Sequence, residues 1–317
     1  LPVGVPVEAG EVFSAYVELS RPAGRRQVET LAEFARNTAD RGRLQELSIA
    51  ESYEAEVLGK GLSVLDLIDL HPSIELPLAT YLAMLGPLSP RRYSISSSPR
   101  WSTDHATLTV AHLEGDAWSG LGRYEGVAST FLARARPGTR VPISVRPSNV
   151  AFHPPEDLSI PLVMVAAGTG IAPFRGFLQD RALRAQEDGV QPAPALLFFG
   201  CHGPDSDYLY RNELERWEQA GIVALRPAFS QAPDLGPDGP IRYVQDRLWD
   251  DREEVGRMVT DGATFYVCGD GERMAPAVHD TCVRMYVEAM GVGVDEAEAW
   301  LAEMEFEHNR YVSDVFG

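Results

Sequence analysis

Lysine is almost absent from this chain. Lys60 is the only one among 28 basic residues, and 46 acidic residues leave a formal charge of −18 over 317 residues. A nucleic-acid surface requires clustered cations, so this balance argues against that class of partner, a local patch aside. The preference for arginine reads as genome composition rather than function. Cysteine is scarce as well. Cys201, Cys268 and Cys282 fit neither the spacing of a zinc site nor a disulfide framework, so no metal is expected, and the compartment is expected to be the reducing cytoplasm. No apolar run approaches the roughly 20 residues that a bilayer requires, and the N-terminus has no charged-then-apolar signal pattern; no membrane partner is expected. Internal repeats and low-complexity segments are missing too. The first residue is Leu1 rather than Met, which suits a fragment of a longer polypeptide as well as a processed or engineered start.

What is present suits a globular protein of two domains: 44% of residues are hydrophobic, and the length exceeds one ordinary domain. Residues 29–85 read as helices and turns, with Val28, Leu31, Phe34 and Ala35 at helical spacing, then Val64, Leu65, Ile68 and Leu70 behind Ser63 as an N-cap. From 91 to 145 short alternating runs, such as 106–111, predict antiparallel strands. The proline-rich stretch 147–161 reads as an interdomain connection. Beyond it the rhythm becomes strand, loop, helix: strands at 162–167, 196–199, 222–229 and 265–267, helices from about Pro173, over 208–219 and over 274–290. That alternation predicts a doubly wound parallel sheet.

Five segments carry chemistry, and each has a plainer reading beside it. Gly168, Thr169 and Gly170 follow a buried strand and open a helix with Pro173 in its first turn; such a turn receives a diphosphate, or is simply a strand–helix corner. Arg181, further down that helix, is a candidate phosphate partner or a solvated cation. Gly126, Val127, Ala128 and Ser129 repeat the phosphate logic, or cap a helix. Arg91, Tyr93 and Ser94 offer a cation, a flat ring and a hydroxyl, or a strand-core aromatic beside a serine turn. Cys268 ends an apolar strand at the edge where open α/β sheets bind ligands, or is a buried small hydrophobe. Asp314 and Phe316 sit near the C-terminus of the chain and read equally as a frayed tail.

In order, the runs R-R-Y-S-I-S-S-S-P at 91–99, A-W-S-G at 117–120, G-V-A-S at 126–129, G-T-G-I-A-P-F-R-G-F at 168–177, F-F-G-C at 198–201, D-Y-L-Y at 207–210, Y-V-Q at 243–245 and F-Y-V-C-G-D-G-E-R-M-A-P-A-V at 265–278 resemble the FAD/NADP(H) half of the diflavin reductases. This is the NADPH–cytochrome P-450 reductase family, and the chain is most similar to the reductase end of bacterial self-sufficient fatty-acid monooxygenases. The resemblance implies an α/β plus β-barrel fold of the ferredoxin-NADP reductase kind. Residues 1–85 would be a helical connecting segment, 86–155 an antiparallel FAD-binding barrel, and 156–317 a Rossmann-like NAD(P)H domain. It implies an oxidoreductase that moves a hydride from NADPH to FAD, then single electrons to a flavodoxin-like FMN domain and a P-450 haem domain of the same polypeptide.

By the same resemblance Arg91 would pair with the FAD diphosphate, Tyr93 would lie against the isoalloxazine and Ser94 would bond near its N5. Gly126, Val127, Ala128 and Ser129 would wrap the FAD phosphates. Gly168, Thr169, Gly170 and Arg181 would hold the nicotinamide nucleotide's diphosphate, and Ser230, Tyr243 and Gln245 would surround its adenosine. Cys268 and Asp314 would flank the nicotinamide with Ser94, and Phe316 would cover the flavin face. Three departures modify this. Gln231 and Ile241 stand where the family has cations, so discrimination of NADPH from NADH is expected to weaken. Each missing charge-assisted bond is worth about 1.5–3 kcal/mol, on the order of 10- to 150-fold. Arg226 and Arg242 are the nearest cations, neither in register. Phe316 replaces a tryptophan, which loosens cofactor use in the same direction. The family's further barrel strands ahead of the helical segment have no counterpart, so the barrel is expected to be cut at its N-terminal side. The competing readings are a single-flavin ferredoxin or flavodoxin reductase, a diflavin enzyme of the sulfite reductase or nitric oxide synthase type, and an inactive nucleotide-binding docking module.

Overall fold

The computed structural model describes residues 5–148 and 151–316. Residues 1–4, 149–150 and 317, which fall in the expected connecting segment, barrel and nucleotide-binding domain respectively, lie outside the described residues. The chain divides into two compact units, Leu1–Arg92 with Ala111–Thr139, and Tyr93–Val110 with Arg140–Gly317.

The first unit is led by helices: α1 (Ala9–Ala15), α2 (Arg25–Phe34), α3 (Thr38–Leu47), α4 (Ala50–Ser52, running into a π-helical turn), α5 (Val64–Leu70) and α6 (Leu78–Met84). The helical spacing of Val28 and Leu31 is what buries α2, against Leu44, Leu47, Val57 and Leu67. Ser63 caps α5 as its position predicts. Its Oγ accepts from the Asp66 amide, and the Asp66 carboxylate accepts in return from the Ser63 amide, which satisfies two otherwise orphaned donors. Leu65 and Leu70 face outward instead. A short antiparallel hairpin, β1 (Glu114–Asp116) with β2 (Arg123–Glu125), leads into α7 (Val127–Arg134).

The second unit continues with β3 (Leu162–Ala167), α8 (Ile171–Asp188), β4 (Ala195–Cys201), α9 (Arg211–Gln219), β5 (Ala224–Phe229), a hairpin of β6 (Asp234–Gly236) and β7 (Gly239–Ile241), α10 (Val244–Asp250), α11 (Arg252–Thr260), β8 (Thr264–Asp270), α12 (Met274–Met290), α13 (Val294–Phe306) and β9 (Tyr311–Phe316). One sheet runs β5-β4-β3-β8-β9, all parallel. Strand side chains alternate between faces, and here both faces are apolar. Val163, Val165, Phe198 and Val267 pack on α10 to α13, while Met164, Leu197, Phe199 and Tyr266 pack on α8 and α9. This is the doubly wound sheet that the strand–helix rhythm predicts.

Two local expectations change. Residues 106–111 do not form a strand: Leu108 makes a single antiparallel bridge with Ile95. One backbone bond, from the Ser96 amide to the Thr107 carbonyl, accompanies that bridge, but the Thr107 amide is taken by Ser97 Oγ, and Ser96 and Thr107 also bond through their side chains. The 147–161 stretch, expected as the interdomain connection, belongs to the second unit. Phe152 is buried among Phe174, Phe177 and Tyr266, with ring centroids 5.6 to 5.9 Å away, and the Tyr266 hydroxyl donates to the His153 carbonyl.

Candidate functional site

The chain reverses its winding direction between β3 and β8, and a crevice outside the carboxyl ends of those two strands is where open sheets of this kind bind ligands. β3 ends at Ala167, and a single 3₁₀ turn, Gly168–Gly170, delivers the chain into α8. Gly168 has φ 55°, the left-handed region that glycine enters at little cost. Gly170 is required by proximity: a Cβ there would lie 2.2 Å from the Cys268 carbonyl oxygen. The turn thus packs backbone on backbone against β8. It leaves the first amides of an 18-residue helix directed out of the sheet edge, where they and the helix dipole favour an anion.

Cys268 stands at that edge in register with Asp314 on β9 and with Ala166 on β3. It is fully buried. Burial first, and the Asp314 charge second, push its thiol up to about 12, so the group is a neutral thiol at physiological pH and not a nucleophile. Asp314 is half-buried, whereas Phe316, at the end of β9, is exposed. The tail reading is therefore corrected: 311–316 is a bonded edge strand, and Tyr311 stacks on Phe265 at 5.4 Å. Asp270, which sequence reasoning passed over, accepts from the Arg273 and Met274 amides and caps α12. These bonds hold its carboxyl below the usual range. The D-G-E-R spacing after an apolar strand is the signal that could have found it.

Ser94 and Tyr93, both half-buried, belong to the same compact unit as Cys268 and Asp314. At the β5 end, the Ser230 amide donates to the Cys201 carbonyl and the Gln231 amide to the His202 carbonyl. Ile241 is buried in the core. Arg242 is exposed, and its Nη1 donates to the Ser230 carbonyl at 2.8 Å, so its guanidinium stands beside Ser230 despite being out of register. Arg226 is committed elsewhere, to Asp251 and Glu254 at 3.0 and 2.8 Å. Tyr243 is exposed and Gln245 half-buried at the start of α10.

Arg181 is not brought to this edge. It is 4% exposed and bonds to the Ala193 carbonyl, just ahead of β4 and hence at the opposite end of the sheet; burial pulls its guanidinium down to about 10. In the first unit, Arg91 pairs with the buried Glu18 at 2.8 Å. Gly126 precedes α7, whose Val127, Ala128 and Ser129 supply the first-turn amides. The Ser129 hydroxyl turns inward, accepting from the Leu113 amide and donating to the Gly126 carbonyl. Among the described residues no helix is long and apolar enough to cross a membrane.

Residues 2–131 match the family model of the FAD binding domain, and residues 164–280 that of the oxidoreductase NAD-binding domain. Over all of its length the chain is 45% identical to a self-sufficient cytochrome P450 monooxygenase of Phanerodontia chrysosporium, covering 29% of that protein. It is 44% identical over its whole length to a bifunctional cytochrome P450/NADPH–P450 reductase of Fusarium oxysporum, and 39% identical to one of Bacillus subtilis, covering 30% of each. The chain therefore spans less than a third of the length of the relatives it matches.

Proposed function

We propose that this chain is the FAD- and NADP(H)-binding part of a diflavin reductase, and that it feeds electrons from NADPH through FAD to an FMN domain and a P-450 haem carried by the same full-length polypeptide. Bound together, the two cofactors supply hydride transfer from nicotinamide to flavin; the protein supplies placement and electrostatics. The observation that carries the reading is the glycine turn pressed on β8, with Cys268 and Asp314 paired beside it. Such a turn suits a dinucleotide, because it sets the first amides of α8 at the carboxyl end of β3, and Gly170 permits it by letting the backbone pack directly on β8.

On this reading residues 86–155 hold FAD, 1–85 connect, and 156–317 hold the nucleotide in a cytoplasmic enzyme. Arg91 and the α7 amides would hold the flavin's diphosphate, Tyr93 would lie against its ring system, and Ser94 would donate a hydrogen bond near its N5. The Gly168–Gly170 amides receive the nicotinamide nucleotide's diphosphate. Cys268 would act as a neutral spacer, Asp314 would offset positive charge on the nicotinamide, and Phe316 would cover the flavin. Ser230, Tyr243 and Gln245 would bound the adenosine, with the Arg242 guanidinium beside Ser230. The relatives' printed names pair a P450 with its reductase in one protein, which supports the proposed partners. The test is to load the chain with FAD, add NADPH without oxygen and follow the flavin band. Bleaching is expected, and a band that persists would refute the reading.

A further inference from the structure

The segment Tyr93–Val110 groups with the nucleotide-binding sheet rather than with the helices that precede it in sequence. One residue accounts for much of that attachment. Arg175, in the second turn of α8, aims a forked guanidinium at Glu213 of α9, with Nε and Nη2 at 2.7 and 3.1 Å from the two carboxylate oxygens. Its remaining nitrogen, Nη1, donates to the Ser96 carbonyl at 2.6 Å and to Thr107 Oγ1 at 3.2 Å. The guanidinium also lies over the Tyr210 ring, 4.8 Å from its centre, and the Tyr210 hydroxyl reaches Thr109 at 2.6 Å. Tyr210 adopts φ 58°, which is unfavourable for a bulky residue and persists only where surroundings over-determine it. A second anchor lies one turn on: Ser98 bonds through its amide to Gln179 and through its hydroxyl to Asp180.

We propose that Arg175 is a positioning residue for hydride transfer, a clamp that fixes the Ser96 carbonyl and the Thr107 hydroxyl to α8 and α9 and so sets the place of Ser94, two residues away, relative to Cys268 and Asp314. The proposal rests on the role given to Ser94 above. Bidentate Arg–carboxylate pairs impose direction as well as attraction, and a displacement of about 1 Å at a reacting centre costs on the order of 100-fold in rate. Lysine cannot reproduce the fork, so Arg175→Lys is expected to restore only part of the effect.

Two measurements test it on the full chain. Amide hydrogen exchange, without cofactor, is expected to show 93–110 exchanging on the order of 10- to 100-fold faster in Arg175→Gln and Glu213→Gln, with β3 and β8 still protected. Anaerobic stopped-flow with FAD and NADPH is expected to show the limiting rate of flavin reduction lowered on the order of 10- to 100-fold, with half-saturating NADPH unchanged. Unaltered exchange overturns the clamp, as does faster exchange with an unaltered limiting rate. Glu213→Gln carries both arms if Arg175→Gln fails to fold. Ser94→Ala separates the two ideas. A slow Ser94→Ala beside full-rate Arg175→Gln overturns the clamp alone, whereas a full-rate Ser94→Ala overturns the reading beneath it as well.

Discussion

A thiol held neutral beside a carboxylate behaves differently from the thiolates of redox enzymes. Cys201, Cys268 and Cys282 are each pushed from 9.0 up to about 12, chiefly by burial. A native thiol that keeps its proton while the unfolded chain loses it stabilises the fold fully below pH 9 and loses that contribution as pH climbs through 9 to 12. Urea melts at rising pH are expected to show stability falling across that window, and flavin reduction is expected to have no limb at an ordinary thiol pKa. Arg242 gives a second residue-scale prediction. Arg242→Ala is expected to lower the NADPH-over-NADH ratio of kcat/KM on the order of 10-fold or more, since a charge-assisted bond to a phosphate is lost. Arg181→Met, by contrast, should leave NADPH affinity unchanged and alter only the melting temperature, because its guanidinium serves the far end of the sheet. Sequence order gave that arginine to the phosphate because it shares a helix with Gly170. Helical rise is about 1.5 Å per residue, so eleven positions carry it away from the edge.

Among the elements, the strand-turn-helix after β3 is the one on which the site depends. A Cβ at Gly170 would press into the Cys268–Gly269 backbone, not into a side chain that can yield. Gly170→Ala is expected to weaken NADPH binding on the order of 10-fold or more, measured by titration calorimetry, while melting of the α2–α5 helices changes little. β3 was legible residue for residue, because a continuous apolar run between Pro161 and Gly168 leaves few alternatives, and α12 because glycines at 271 and 291 bracket a long run of good helix formers. β9 was not. Its Tyr-Val-Ser-Asp-Val-Phe run is buried only over its first half, and nothing local announces that β8 waits beside it. The 106–111 run misled in the opposite sense: its alternation suits a strand, but the Thr107 amide goes to the Ser97 hydroxyl and only one bridge to Ile95 forms. Arg175 carries no sequence signal of its role and Arg242 only that of a nearby cation out of register, since both depend on which loops the sheet brings to one place.

At the scale of the whole chain, the order of motifs spoke more clearly than any single motif, and the two family matches reproduce that order. The excess of acid has a kinetic consequence. A net charge of −18 repels an anionic electron acceptor at long range, and salt screens this within about 10 Å at 0.1 M. Reduction of ferricyanide by the FAD-loaded chain is expected to accelerate as ionic strength rises; deceleration would point to a local cationic acceptor face. The central claim is that Ser94, Cys268 and Asp314 act on one pair of stacked rings. Anaerobic stopped-flow on Ser94→Ala, Cys268→Ser and Asp314→Asn tests it most directly. Each variant is predicted to keep FAD and to reduce it more slowly with NADPH, and wild-type rates in all three would contradict the account.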